Sequence, residues 1–553
     1  MISLLISSSL SMFLFVIFGN FLAKMFKYST NLIEQVLVGL AFTNTITTWL
    51  SLILPLNIYV LGFLILICSI LFYFIRKNLK IGILIKAKKS ILIYSLPFII
   101  IAFLISLNEP DNYDTGLYHL QAIKWIEKYP VVPGLANLHG RFGFNPNIFT
   151  LIAPLSLVEF FKQEIFSINY VVFTLLVLYF INKIYNLIKQ QGFSNLIVFH
   201  SLVFIAILQL RNLLSSPAPD FLSISLTLFI FVRLLDISTQ KETLEFRNYI
   251  PIFILSIYIL TVKLATAPVL LLLLFIVFRF KPKFRQILWV IPLLIIIVLP
   301  WLFRNVALSG WLIYPLPSVD LFSFDWKVPI NQVINEQESI LGWARSRGDD
   351  YIRAAHMDFI DWISIWWKNA GLIIKFALVL SVVSPFIVLC AQLVKIVQVS
   401  FMSNVIIFTS FAGVLFWWLM APDVRFGEPF IVVSSLSLLL IIKFQWKPKI
   451  NSNLLIPIIL LGILGYFTLG SYRIVNKNIY DIYYSDGLLV PKKIVVPPTV
   501  NFQSFTIHGC NIFVPIANDR CYDHEIPCTP YPDSSLILRG KTLKSGFMHK
   551  PVN

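Results

Sequence analysis

Residues 286–303 read QILWVIPLLIIIVLPWLF, without one charged side chain, between KPKFR at 281–285 and RNVALSGW at 304–311. A helix needs about 20 such residues to cross the hydrocarbon core of a bilayer. The same texture recurs outward in both directions. Spans are expected near 3–23, 32–53, 58–75, 90–107, 165–182, 194–210, 220–237, 249–262, 264–279, 371–394, 402–420, 429–443 and 454–472 as well. Over all 553 residues, 58% are hydrophobic and 13% charged, against about 25% charged in a typical soluble domain. Mean hydropathy is +0.82. These figures exclude disorder, a coiled coil and a soluble enzyme. A transmembrane β-barrel is excluded too, because its strands alternate rather than run apolar. The expected fold is an all-α polytopic membrane protein with about 14 transmembrane helices.

The run 147–160, NIFTLIAPLSLVEF, is too short to cross and contains Pro154. It is expected to be re-entrant or interfacial. The first run lacks a basic segment before its apolar core and reads as an anchor, not a cleaved leader. The net charge of +17 would suggest nucleic acid in a soluble chain. Here it gathers in alternate short connections, such as Arg76 to Lys89 and Arg279 to Arg285. By the positive-inside rule those connections face the cytoplasm of a bacterial inner membrane, and both termini lie outside. The outer side then holds loops at 108–146 and 304–370 and a tail at 473–553, after a membrane domain at 1–472. The tail is rich in Pro, Tyr, Asp and Gly, with β-like runs at 494–500 and 511–516. The cytoplasmic half of the spans reads as nearly free of acids, which argues against a proton-coupled route.

The first outer stretch, 108–147, is NEPDNYDTGLYHLQAIKWIEKYPVVPGLANLHGRFGFNPN. Asp111 or Asp114 can cap a helix from about Thr115 to Lys128. On it Asp114, Tyr118, Gln121 and Trp125 share a face, with His119 beside Tyr118. Acid, phenol, amide and indole together suit a sugar or lipid-phosphate ligand better than a buried face does. Glu109, Asp111 and Asp114 either cap the helix and meet solvent, or supply a carboxylate that acts as general base or holds a divalent cation. Positive charge is disfavoured on the outer side, yet Arg211, Lys263, Arg304 and Arg425 all fall at that level with Asp220. Lys263 lies inside an apolar stretch, where a charge is costly; snorkelling to the interface is the plainer account. Arginine grips phosphate in a planar fork and lysine as a point charge.

In the second outer loop, Trp362, Trp366 and Trp367 form an interfacial belt or a sugar-stacking surface. Arg345, Arg347, Asp349, Asp350 and Tyr351 lie nearby, and the lone His356 reads as structural. No HExxH, GxSxG or nucleotide-binding motif is present. Cys68 and Cys390 lie in spans and read as core fillers. Cys521 and Cys528 bracket CYDHEIPC and are the expected disulfide, leaving Cys510 over. A metal site with His508 or His524 is the alternative, at a spacing that matches no standard zinc pattern.

Four patches carry a resemblance. Asp111 and Asp114 after an early span, Ser215-Ser216-Pro217-Ala218-Pro219-Asp220, Thr261-Val262-Lys263-Leu264 and Asp423-Val424-Arg425-Phe426 together resemble GT-C class glycosyltransferases. Those are multispanning enzymes that use polyprenyl-phosphate-linked sugars and carry catalytic acids in the first extracytoplasmic loop. End to end the chain also resembles an uncharacterised bacterial family of multispanning proteins, through YHLQAIKW, VPGLANLHGRFGFN, RNVALSGWLIYP and PCTP. The resemblance implies a GT-C-like fold and transfer of a sugar from a polyprenyl-(pyro)phosphate donor on the outer face. Asp114 or Asp111 would act on the acceptor, and Lys263, Arg211 and Arg425 would neutralise the leaving phosphate. The competing readings are a transporter or flippase for lipid-linked glycans, a polymerase of them, and a non-catalytic membrane scaffold.

Overall fold

The structure, a computed structural model, describes residues 1–28, 31–76, 89–239, 245–346, 348, 351–441, 445–446, 452–484, 500–507, 510–516 and 518–550. Lys77 to Lys88, Lys241, Arg347, Asp349, Asp350, Lys443, Lys447, Lys449, His508 and the β-like run at 494–499 lie outside the described residues.

Each apolar run is helical, because a backbone in hydrocarbon can satisfy its N–H and C=O groups only within itself. Among the described residues nine helices are long and apolar enough to cross a membrane. They include Ile2–Phe26, Pro219–Ser238, Phe284–Ser309 and Leu372–Leu393. Other expected spans come out shorter. Leu264–Val269 is a 3-10 turn leading into Leu270–Phe280, and the expected 429–443 span becomes Val424–Ser435 followed by a 3-10 turn. Pro154 and the left-handed Leu157 break 147–160 into Ile148–Leu155 and Val158–Phe161. Neither piece reaches across a bilayer at about 1.5 Å per residue.

The helices sort by what they touch. Pro219–Ser238 is buried at nearly every position and forms the axis of the bundle, as a helix that is apolar all round must be. The peripheral Ile58–Ile75 and Leu372–Leu393 helices leave Phe63, Leu66, Phe376 and Phe386 outward and exposed. Such a belt is untenable in water and fits lipid. Ile2–Phe26 and Leu32–Leu50 cross at Gly19 and Gly39. A Cβ on Gly39 would lie 1.8 Å from the Phe15 carbonyl oxygen. Small residues at such crossings let membrane helices approach closely.

Two charged layers cap the helix interior. Asp220 opens the axial helix and Asp236 nearly closes it, about 24 Å apart at helical rise. Around Asp236 gather Lys183 at 2.7 Å, His200 at 3.1 Å and the Tyr179 hydroxyl. Glu34, fully buried, accepts from Arg233 Nε at 2.9 Å. The expectation of a far half nearly free of acids is thus corrected. Glu34 and Asp236 sit near helix ends in sequence, where they look like interface residues. In three dimensions each is enclosed by neighbouring helices and neutralised there.

The tail is more closely tied than its sequence suggests. Ser452–Tyr484 runs three turns past the expected span end. Two antiparallel hairpins follow, Phe502–Ile507 with Cys510–Pro515 and Leu536–Leu538 with Phe547–His549. They lie on the first loop: Tyr522 N–H donates to the Gly116 carbonyl at 2.8 Å, Phe547 N–H to Pro133 at 3.0 Å, and Thr529 Oγ1 to Leu138 at 2.8 Å. Cys521 and Cys528 are disulfide-bonded.

Candidate functional site

The chain leaves the Lys89–Ile105 helix through Pro110 and turns at Asn112. Asn112 Oδ1 accepts from the Asp114 N–H at 2.9 Å, and its carbonyl from the Thr115 N–H at 3.0 Å. Asn112 therefore does the capping expected of Asp111 or Asp114, and the Asp114 carboxylate turns elsewhere. The helix that follows begins as a π turn, Thr115–His119, before Leu120–Lys128 becomes α-helical. Such turns are rare and concentrate at functional sites.

Asp114 lies between two arginines. Arg141 Nη1 donates to its Oδ1 and Arg425 Nη1 to its Oδ2, both at 3.1 Å. Arg141 also faces Glu336 at 3.8 Å, and Arg425 Nε donates to Asp423 Oδ2 at 3.3 Å. Lys263 pairs with buried Asp220, and its Nζ lies 4.3 Å from the Phe426 ring centre. The Arg425 guanidinium lies 5.5 Å from the same ring. One network thus joins Asp114, Arg141, Asp220, Lys263, Glu336, Asp423 and Arg425.

Its electrostatics follow from burial and from these neighbours. Burial alone would raise the Asp114 carboxyl, but the charges of His119, Arg425 and Arg141 outweigh it and hold it below the ordinary carboxylate value. His119 is itself pushed down to about 4 by burial and is neutral at pH 7, so there the two guanidiniums keep Asp114 ionised. His119 Nδ1 is 3.3 Å from Thr115 Oγ1, which lies 3.0 Å from Ser216 Oγ. Tyr118 is buried, edge-on to His119 and Phe144.

The Arg425 loop is held by tryptophans. Trp366 Nε1 donates to the Pro422 carbonyl at 2.7 Å and Trp417 Nε1 to the Asp423 carbonyl at 2.6 Å. A Cβ on Gly427 would come within 2.4 Å of the Trp417 ring. Of the three residues expected in an interfacial belt, only Trp367 is exposed; Trp362 and Trp366 are buried.

Other expected site residues lie elsewhere. Asp111 is exposed and outside the network. Arg211 Nε donates to the Gly470 carbonyl at 2.9 Å, on the last helix. Gln121 Nε2 donates to the tail carbonyls of Tyr522 at 3.1 Å and His524 at 2.9 Å, so the tail occupies the place read as a ligand's. Trp125 packs on Tyr129 and Phe547. Arg304 meets Asn145 and Ser51. Cys390 faces outward on its helix and is no core filler, while Cys68 is buried. Arg141 and Glu336 were not singled out as site residues: one stands in a glycine-rich loop and the other in a polar helix, without motif spacing.

A divalent cation does not fit this donor set. Both Asp114 oxygens are engaged by guanidiniums and Asp220 by an ammonium. Among the described residues no group of three or more His, Cys, Asp or Glu side chains is arranged to hold a metal ion.

Comparison with known proteins places the chain by family alone. A family model described as a domain of unknown function, DUF8201, matches residues 1–432, and the chain belongs to that family. No curated protein and no solved structure matches it.

Proposed function

We propose that this DUF8201 member is an integral membrane glycosyltransferase, moving a sugar from a polyprenyl-(pyro)phosphate donor at the outer face of a bacterial inner membrane. The observation that carries the reading is Asp114 held between Arg141 and Arg425 beside the Lys263–Asp220 pair, at the ends of apolar helices. An acceptor hydroxyl attacks the anomeric carbon of the donor, and the bond to the phosphate oxygen breaks with its electron pair. Arg425 and Lys263 are placed to receive that negative charge, as preorganised cations at a leaving group do. Asp114 accepts the hydrogen bond of the attacking hydroxyl and takes its proton as the new bond forms. Its lowered carboxyl makes it a weak resting base, so its first role is to orient. An incoming phosphate that competes for Arg425 would free one carboxylate oxygen for the acceptor.

The test is Asp114→Asn in cells whose lipid-linked glycan products are followed. An inserted protein with product reduced about 10²–10⁴-fold supports the reading; normal product removes it. A second reading, a flippase for the same lipids, is favoured by the buried Glu34–Arg233 and Asp236–His200–Lys183 groups. Buried charges within spans commonly mark transport pathways. In that case Asp236→Asn abolishes glycan delivery while Asp114→Asn spares it.

A further inference from the structure

Arg304 differs from every other basic residue of this layer. It is 3% exposed, and its guanidinium meets only neutral groups. Nε donates to Asn145 Oδ1 at 3.1 Å and Nη1 to Ser51 Oγ at 2.9 Å. Among the described residues no carboxylate pairs with it. Ser51 closes the Leu32–Leu50 helix, whose C-terminal dipole supplies about half a negative charge and leaves the rest uncompensated. A buried charge without a counter-charge is strongly unfavourable.

The charge is not sealed in. Arg304 and Arg141 line a narrow cleft, open on one side and walled by Trp125, Tyr129, Phe142 and Phe149, with a free volume of about 20 Å³. The Trp125 indole N–H is buried with no acceptor among the described residues. Buried polar groups are normally satisfied, so an orphan donor in a residue that lines the same cleft as an unpaired cation calls for a missing acceptor. We propose that this cleft binds a small oxyanion group, a phosphate ester or a carboxylate, which enters through its open side. Arg304 supplies the counter-charge and Trp125 a hydrogen bond. Arg141 belongs both to this cleft and to the Asp114 network, and the proposal stands whether or not the chain transfers sugars.

The full chain purified in detergent is unfolded thermally while tryptophan fluorescence is followed. Inorganic phosphate and glucuronate are added separately, with sodium chloride at matched ionic strength as control. At least one of them raises the midpoint beyond chloride, and which one does so identifies the oxyanion. Arg304→Gln abolishes that rise, and without ligand it unfolds no earlier than wild type because it removes an unpaired charge. Should Arg304→Gln fail to fold, Trp125→Phe serves, weakening anion binding about tenfold while keeping the ring. A phosphate and glucuronate response equal to that of chloride overturns the site. So does a rise that survives in both variants. So does a rise lost in Arg425→Gln but kept in Arg304→Gln, which would move the anion to the Asp114 network.

Discussion

Asp114 and Glu164 show how one layer of residues sets opposite pH behaviour. The Asp114 carboxyl is lowered in the folded protein, so its contribution is present above the ordinary carboxylate value and lost as pH falls through the folded one. At neutral pH, Asp114→Asn removes the carboxylate shared by Arg141 and Arg425, which keep Glu336 and Asp423, and with Arg425 partly exposed a loss of about 1–2 kcal/mol is expected. That loss should shrink below pH 4, as followed by fluorescence-detected unfolding. Glu164 lies in the connection before Ile168–Gln191, buried with Glu127 and near Lys124 and Asp523. Burial and then Asp523 push its carboxyl up to about 7. Its folded value exceeds its unfolded one, so stability is greatest below the ordinary value and falls as pH rises toward 7. Glu164→Gln should therefore raise the unfolding midpoint at pH 8 and leave it nearly unchanged at pH 4. A larger gain at pH 4 would contradict the buried, proton-holding carboxyl.

At the scale of elements, the Gly19–Gly39 crossing is the most exacting contact. A Cβ on Gly39 meets backbone at 1.8 Å, which no rotamer change relieves. Gly39→Val should cost well over the 1–3 kcal/mol typical of overpacking and sharply lower the yield of folded protein in detergent. Gly62, in the Ile58–Ile75 helix, has nothing within 4 Å of an added Cβ. Gly62→Ala should be neutral or stabilise by up to about 1 kcal/mol. Equal losses in the two variants would dismiss the crossing as the cause. The helices themselves were legible because apolar runs declare themselves locally. The site was legible in part: Asp114, Lys263, Asp220 and Arg425 stood out as charges where charge is costly. Arg141 and Glu336 carried no such signal, since one lies in a loop and the other on a polar helix, Ile330–Arg345, where charge is ordinary. Gln121 misled for a physical reason, because a mixed polar and aromatic face has the same composition whether a ligand or a tail covers it. The docking of Gly116 and Pro133 against Tyr522 and Phe547 joins distant parts of the chain through backbone bonds, which leave no pattern in side chains.

On the scale of the whole molecule, that docking constrains sidedness. The tail bonds to the loop that carries Asp114, so the two share one side of the membrane. The tail holds the Cys521–Cys528 disulfide, and structural disulfides persist mainly in oxidising compartments. The Asp114 layer is therefore expected to face outward, by an argument that does not use positive charge at all. The Asp236 layer, about 24 Å along the axial helix, is then expected to face the cytoplasm, on the side to which the positive-inside rule assigns Arg279, Lys281, Lys283 and Arg285. Alkaline phosphatase joined after Asn553 should be active, and joined after Lys283 inactive; the reverse pattern would undo both lines of argument. The same disulfide closes a short loop, which the chain-entropy model values at about 2–3 kcal/mol. In Cys521→Ser, hydrogen exchange should speed up in 518–550 and in the 113–138 segment it covers, while the spanning helices keep their protection. Because Gln121 and Lys124 bond the carbonyls of Tyr522, Asp523 and His524, the π turn that presents Asp114 should loosen with the tail. Glycan product should fall in that variant even though no residue of the Asp114 network has changed. Unchanged product with a fully exchanged tail would show that the tail only covers the loop and does not hold the site in shape.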